Sequence, residues 1–200
     1  MCDLVLLLLA AGQSRRMRGE DKLLQEVEAM PLLRRQALAA LDTGVPVLVA
    51  LPPGGSELAA RRRAALDGLE ITEVAVADAD KGMGHSLAAA ARAAPEGAGL
   101  IVLNADMPGI GATELQALIT ARGTAPERIW RGADSAGRAG HPVLFPARLR
   151  PELAGLTGDR GAKALIAREG AILVPLPGDA ATLDLDTPED WAAFRARGTG

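Results

Sequence analysis

The sequence predicts an α/β fold with a mostly parallel central sheet, and three observations indicate it. Two nearly continuous apolar runs, residues 4–11 and 99–106, are typical of strands buried on both faces of a sheet. Strand and helix patterns alternate between them, which is the order of parallel strands joined by crossover helices. The chain has 200 residues and shows no internal repeat or linker. We therefore expect one domain over residues 1–200.

The other elements follow from apolar periodicity and from capping signals. Ser56 and Thr187 are predicted helix N-caps, and Pro31 and Pro188 suit the first turns of their helices. A run of three arginines at residues 61–63 is expected to face solvent. The predicted helices cover residues 30–41, 57–66, 87–94 and 113–121, with two more opened by residues 156–163 and 183–190. The predicted strands cover residues 45–51, 71–77, 128–134, 141–145 and 171–175.

Composition excludes several classes of protein. A net charge of -3 argues against a dedicated nucleic-acid binder, and the absence of tyrosine removes most stacking platforms for single strands. Cys2 is the only cysteine, which excludes an internal disulfide and a cysteine-based zinc site. The first apolar run is too short to span a bilayer. It is also not preceded by the positively charged segment with which a signal peptide begins. We expect a cytoplasmic protein that binds neither nucleic acid nor membrane.

A basic loop follows the first predicted strand. Gly12 breaks the apolar run, and four cations come next, at Arg15, Arg16, Arg18 and Lys22. Backbone N–H groups approach an anion closely where side chains are small, so this loop suits a nucleoside triphosphate. A solvated loop between strand and helix explains the same residues. Neither G-x-x-x-x-G-K-S/T nor G-x-G-x-x-G is present, which disfavours a P-loop NTPase and a dinucleotide-binding oxidoreductase.

Two further segments carry chemistry. Residues 80–86, DKGMGHS, form a glycine-rich stretch that suits an anion or a base edge, or else a turn in which Ser86 caps the next helix; His85 is a polar contact candidate there. Asp106 ends the second apolar run, where ligands of open α/β sheets collect. A carboxylate beside a triphosphate suits Mg²⁺, although Asp106 could instead cap the following helix. Asp184 and Asp186 share one face of an extended segment.

Six motifs together resemble the nucleotidyltransferases that attach a nucleotide to molybdopterin, and most of all the molybdenum cofactor cytidylyltransferases. The resemblance covers residues 8–194 and implies a three-layer α/β/α fold with a mostly parallel, Rossmann-like sheet. The motifs, in chain order, are LAAGQSRRMRGEDKLL, GMGHSL, LNADMP, GHPVLF, GDRGAK and LDLDTPED.

The resemblance also implies roles for particular residues. Arg16 and Lys22 would hold phosphates and, with Asp106, form the catalytic set; Asp106 and Asp186 would bind Mg²⁺. The remaining implied nucleotide contacts are Leu9, Ala10, Ala11, Gly12, Gly84 and Ser86.

The implied reaction transfers CMP from CTP to molybdopterin with release of pyrophosphate. The guanylyltransferase relatives favour L-A-G-G, and a methyl group at Ala11 narrows the space beside the base, which favours CTP over GTP. Residues 130–165 are the acceptor-facing part, where His141 either faces the pterin or is a buried structural histidine. Use of GTP, transfer to a sugar phosphate or another alcohol phosphate, and a non-catalytic cofactor carrier remain alternatives. A recipient molybdoenzyme or its chaperone is the expected partner.

Overall fold

The computed structural model describes residues 3–158 and 161–197, so Cys2 and part of the GDRGAK motif lie outside the described residues. Within them, the strands are β1 Leu4–Leu9, β2 Glu26–Val27, β3 Met30–Pro31, β4 Val47–Leu51, β5 Thr72–Ala75, β6 Gly99–Asn104, β7 Ile129–Ala133, β8 Ala139–Phe145 and β9 Ala171–Pro175. The helices are α1 Leu32–Leu41, α2 Glu57–Ala65, α3 Met83–Ala93, α4 Ala112–Arg122, α5 Arg150–Ala154, α6 Lys163–Glu169 and α7 Pro188–Arg197.

Seven of these strands form one sheet in the order β5-β4-β1-β6-β8-β7-β9. All neighbours pair in parallel except β8, which runs antiparallel to β6 and β7. Strands β2 and β3 form a separate hairpin. The predicted α/β class with a mostly parallel sheet is confirmed.

Alternate side chains of β1 pack on opposite faces of the sheet and define three layers. Leu6 and Leu8 pack in a core with α1 and α4, whereas Val5 and Leu7 pack in a second core with α3, α5 and α6. Because both faces are covered, the apolar run of β1 is continuous rather than alternating. None of the helices in the described ranges is long and apolar enough to cross a membrane.

Several local expectations are confirmed. The Ser56 hydroxyl accepts a hydrogen bond from the N–H of Ala59 at 3.1 Å and caps α2. The Thr187 hydroxyl accepts from the N–H of Asp190 at 3.2 Å at the start of α7.

Four local predictions are wrong. Helix α3 begins at Met83, so His85 and Ser86 lie inside the helix and Ser86 does not cap it. Asp106 does not cap α4, whose N-cap is Gly111. Pro31 precedes the first residue of α1, because it belongs to the short strand β3.

The fourth wrong prediction concerns the arginine run in α2. Arg62 is fully buried rather than solvated. Its position on the inner face of α2 places it against the loop that follows β1, where it finds polar partners that a sequence pattern does not show.

Candidate active site

The site lies where β1 and β6 end side by side, with Leu9 paired to Asn104. Lys22, Asp106 and Asp186 converge there from three separate segments of the chain. The Nζ of Lys22 donates hydrogen bonds to Asp106 and, at 2.6 Å, to Oδ1 of Asp186. All three side chains are at least four-fifths buried. The structure therefore brings together the predicted lysine and the two predicted metal-binding aspartates.

The charges in this cluster shift the pKa values of their neighbours. Burial alone would lower the pKa of Lys22, but Asp106 and Asp186 outweigh it and leave that pKa raised. Burial and repulsion from Asp186 and Asp106 raise the pKa of Asp184. Arg16 reaches Asp186 at 2.7 Å, but its side chain is 68% exposed, so this ion pair stabilises little and leaves the guanidinium available.

A divalent ion fits the two aspartates. Oδ1 of Asp106 is buried and has no hydrogen-bond partner among the described residues, so an acceptor oxygen is left over beside Asp186. Carboxylate oxygens are the ligands that Mg²⁺ and Mn²⁺ accept, with phosphate and water completing the shell. Within residues 3–158 and 161–197, no cluster of three or more acidic, histidine or cysteine side chains is arranged for a metal. A metal here would depend on substrate oxygens for its remaining ligands.

A buried ion pair between Arg62 and Asp21 stabilises the basic loop. Arg62 donates two hydrogen bonds of 2.8 Å to Asp21, from Nε and Nη2. It also donates to the carbonyl of Ala10 at 2.7 Å and to the hydroxyl of Ser14 at 3.3 Å. Ser14 has a left-handed backbone (φ 49°), and its hydroxyl donates to Asp21 at 3.0 Å. This network fixes both ends of the turn that precedes Lys22.

Burial alone would raise the pKa of Asp21, yet hydrogen bonds and charge from Arg62 outweigh it and leave the pKa lowered. The carboxylate is therefore ionised throughout the neutral range, and the guanidinium of Arg62 is its counter-ion.

Two cavities are lined by residues of the cluster, and a third shares part of its wall with one of them. The outer cavity, about 310 Å³, is lined by Gly12, Gln13, Ser14, Arg15, Arg16, Lys22, Ala79, Asp80, Gly82 and Asp186. The inner cavity, about 180 Å³, is lined by Leu9, Ala11, Gly12, Lys22, Leu23, Ala79, Met83, Ser86, Asn104 and Asp106. The apolar cavity, about 260 Å³, is lined by Leu9, Met83, Leu87, Val102, Asn104, Arg131, His141, Val143, Phe145, Gly161, Ala162, Lys163 and Ile166.

Most predicted contacts line these cavities, but two do not. Ala10 is buried in the core, with its carbonyl bound by Arg62. Gly84 packs against the loop that precedes α6: its N–H donates to the carbonyl of Gly158 at 2.9 Å, and a Cβ atom would lie 2.8 Å from the backbone of Thr157. Ser86, in the first turn of α3, lines the inner cavity.

His141 lies in the wall of the apolar cavity. Burial lowers its pKa, and its Nδ1 is 3.3 Å from the carbonyl of Val102. A carbonyl only accepts hydrogen bonds, so this contact favours a proton on Nδ1 and leaves Nε2 as an acceptor. His141 is therefore partly buried and borders a cavity, and its contact with a pterin stays a prediction.

The sequence profile of the MobA-like NTP transferase domain matches residues 6–172. The chain belongs to this family. It is accordingly a nucleotidyltransferase, and the likeness predicted from the sequence motifs is confirmed at the level of the MobA-like domain.

Solved structures agree with the MobA-like assignment. The protein is 26% identical to Rv0371c of Mycobacterium tuberculosis H37Rv, over 96% of this chain and 97% of that one, with a TM-score of 0.81. A homologue of Rv0371c from Mycobacterium sp. strain JC1 is also 26% identical, over 98% and 96% of the chains, with a TM-score of 0.82. A nucleotidyl transferase from Methanothermobacter, Mth528, is 20% identical, over 97% and 96% of the chains, with a TM-score of 0.75, and shows the shared fold. No curated protein matches the chain by sequence.

Sequence reasoning missed two polar residues of the site. Arg62 carries no signal that separates it from its neighbours in the arginine run, because its burial depends on how α2 docks. Asn104 lies inside the recognised LNADMP motif, but the pattern does not show that this residue lines two cavities.

Proposed function

We propose that this MobA-like nucleotidyltransferase transfers CMP from CTP to molybdopterin and releases pyrophosphate, with Mg²⁺ as its metal. The observation that carries the proposal is the position of Lys22 between Asp106 and Asp186. A buried ammonium held by two carboxylates marks a place built for a cation beside a cavity lined by the basic loop. Mn²⁺ is present in one structure of Rv0371c, 26% identical over 96% and 97% of the chains, which supports a divalent ion of this kind.

The proposed reaction is an in-line displacement. An oxygen of the terminal phosphate of molybdopterin forms a bond to the α-phosphorus of CTP, the bond from that phosphorus to the bridging oxygen breaks, and pyrophosphate leaves with the electron pair. Such a transfer depends on positioning and charge neutralisation rather than on a protein nucleophile. A divalent ion bound by Asp106 and Asp186 would supply charge neutralisation at the phosphates.

The chain supplies the rest of the machinery. Lys22 and Arg16 provide positive charge at the inner and outer cavities, where the triphosphate would lie. Gly12 borders both cavities, where a missing side chain lets the backbone approach the nucleotide. We assign Leu9, Ala11 and Ser86 to the nucleotide as well, since they line the inner cavity. Ala10 and Gly84 act through the backbone that they anchor.

The choice of base follows from the size of the inner cavity. Ala11 is 2% exposed, and its methyl group forms part of the wall. A cavity of about 180 Å³ with a methyl group in its wall favours the smaller pyrimidine ring. One methyl group is worth at most ~1–3 kcal/mol of discrimination, so the preference for CTP over GTP is expected to be finite.

The choice of acceptor follows from the lining of the apolar cavity. Its described wall has four polar side chains, Asn104, Arg131, His141 and Lys163, among aliphatic and aromatic groups. A sugar needs hydrogen bonds for many hydroxyl groups, whereas a pterin offers a flat surface with a few polar edges and a phosphate. This lining favours molybdopterin over a sugar phosphate. We also infer that residues 1–200 act as one domain in the cytoplasm and deliver the product to a recipient molybdoenzyme or its chaperone.

The test is a transfer assay with purified protein, Mg²⁺ and molybdopterin. CTP, GTP, ATP and UTP are offered separately, while pyrophosphate release and the mass of the pterin product are measured. We expect a cytidine dinucleotide from CTP and no transfer by Asp106→Asn, which keeps the size of the side chain. A guanine product would overturn the choice of base, and pyrophosphate release with a sugar phosphate alone would overturn the acceptor. Nucleotide binding without any product would favour a carrier.

A further inference from the structure

Asn104 occupies the boundary between the inner cavity and the apolar cavity. It is the last residue of β6, lies two positions before Asp106, and is the only asparagine in the sequence. The two cavities share three lining residues, Leu9, Met83 and Asn104. Among these, only Asn104 has a hydrogen-bonding side chain. A phosphate group at the boundary of the two cavities would therefore lie beside this amide.

The amide of Asn104 has no hydrogen-bond partner in the part of the chain that the structure describes. Its Oδ1 is buried without a hydrogen bond, and the side chain makes no hydrogen bond to another described residue. Buried polar groups in proteins are nearly always paired, because an unpaired group loses its hydration without compensation. The buried unpaired atom is the acceptor Oδ1, whereas Nδ2 makes no hydrogen bond and is not among the buried atoms. The donor end of the amide is therefore open at the junction of the two cavities, where a substrate oxygen can accept from it.

A neutral donor suits this position for an electrostatic reason. A lysine or arginine so close to Asp106 would pair with that carboxylate, as Lys22 does. A neutral amide forms no ion pair with Asp106, and no hydrogen bond joins the two side chains, so the N–H groups of Asn104 are free to bind a phosphate oxygen. It can therefore orient the reacting phosphates without neutralising the metal-binding aspartate.

We propose that the side-chain amide of Asn104 donates a hydrogen bond to a non-bridging oxygen of the phosphoryl group during transfer. Asn104 is then a catalytic residue beside Arg16, Lys22 and Asp106. The acceptor oxygen still forms the bond to the α-phosphorus as pyrophosphate leaves with the electron pair, and the amide gives up no proton. This inference rests on the proposed function, because it needs a phosphoryl group at the junction.

The test compares the amides of Asn104 and Gln36, both of which are unpaired among the described residues. Gln36 in α1 is fully buried, its amide atoms are also unpaired among the described residues, and it lines none of the three cavities. Asn104→Leu and Gln36→Leu each replace an unpaired amide with an apolar side chain of similar size. Melting temperature, affinity for Mg²⁺ with α,β-methylene CTP, and kcat and KM for molybdopterin are measured for both variants.

Removing an unpaired amide is expected to leave the melting temperature of both variants unchanged or higher. Gln36→Leu is expected to keep wild-type transfer, whereas Asn104→Leu is expected to reduce kcat/KM roughly ten- to a hundredfold with nearly unchanged affinity for the nucleotide analogue. Asn104→Asp, which has the same shape but repels phosphate, is expected to lose as much. Wild-type turnover by Asn104→Leu or Asn104→Asp would overturn the proposal. A melting temperature of Asn104→Leu below that of the wild type would also overturn it, because the side chain would then be structural.

Failure of the proposed function can be distinguished from failure of the role proposed for Asn104. If the wild-type protein forms no molybdopterin product, the proposed acceptor is wrong. Release of pyrophosphate from CTP with water as the acceptor then supplies the comparison, because the same phosphoryl group is transferred. A roughly tenfold slower release by Asn104→Leu would support the assignment. An unchanged rate would overturn it.

Discussion

Replacing Arg62 with methionine tests whether the buried ion pair holds the basic loop in place. The variant keeps much of the volume of the side chain but leaves the carboxylate of Asp21 without its counter-ion in a site where that side chain is only 2% exposed. Breaking a buried pair by removing one partner costs about 3–5 kcal/mol, because the remaining charge stays desolvated. For a chain of this length, we expect the melting temperature to fall by roughly 6–20 °C.

The assay follows unfolding by circular dichroism, with two comparison variants. Arg61→Met changes the exposed neighbour on the same helix and is expected to shift stability by no more than about 0.5 kcal/mol. Arg62→Met combined with Asp21→Asn removes both charges and is expected to recover at least about half of the lost stability. A loss below about 1 kcal/mol in Arg62→Met, or no recovery in the double variant, would refute the reasoning.

The Arg62–Asp21 pair also predicts how the stability of the protein depends on pH. The pKa of Asp21 is lowered from 3.8 in the folded protein, so its contribution is complete above that pH and is lost as the pH falls through the lower folded pKa. Arg62→Met should therefore lose less stability than the wild type between about pH 4 and pH 2.

Arg62 also donates hydrogen bonds to Ala10 and Ser14 in the basic loop. We therefore expect KM for the nucleotide to rise in Arg62→Met when the assay is run at a temperature at which the variant is fully folded. An unchanged KM would show that the loop keeps its form without the pair.

Three further predictions concern the cavities. Lys22→Met should reduce transfer at least about a hundredfold. Because Asp106 and Asp186 then lack their internal cation, Mg²⁺ or Mn²⁺ should raise the melting temperature of the variant more than that of the wild type. Equal metal-dependent shifts in the two proteins would contradict this. Ala11→Gly should raise the GTP-to-CTP ratio of kcat/KM by roughly 10- to 200-fold at most, and an unchanged ratio would remove Ala11 from base selection. Burial lowers the pKa of His141 from 6.5, so KM for the acceptor should stay constant from about pH 8 to 6.5; a change in KM that titrates above 6.5 would contradict a neutral His141.

Local sequence patterns were sufficient for most of the sheet. Continuous apolar runs predicted β1 and β6 because both faces of these strands are covered by helices, and the capping residues Ser56 and Thr187 predicted two helix starts. The pattern failed at α3, where two glycines indicated a loop. There helix α3 begins at Met83, and Gly84 packs against the backbone of Thr157 and Gly158, a contact that no local pattern contains.

The sequence by itself determined the α/β class, the family likeness, and the polar residues at the carboxyl ends of β1 and β6. These depend on side-chain periodicity and on motifs whose residues are neighbours in the chain. Only the tertiary structure decided the partners of the charges: Lys22 lies between Asp106 and Asp186, 84 and 164 residues away, and Arg62 pairs with Asp21, 41 residues away. It also decided that Asn104 borders two cavities. Burial and pairing of polar groups arise when distant segments meet, so a linear pattern does not contain them.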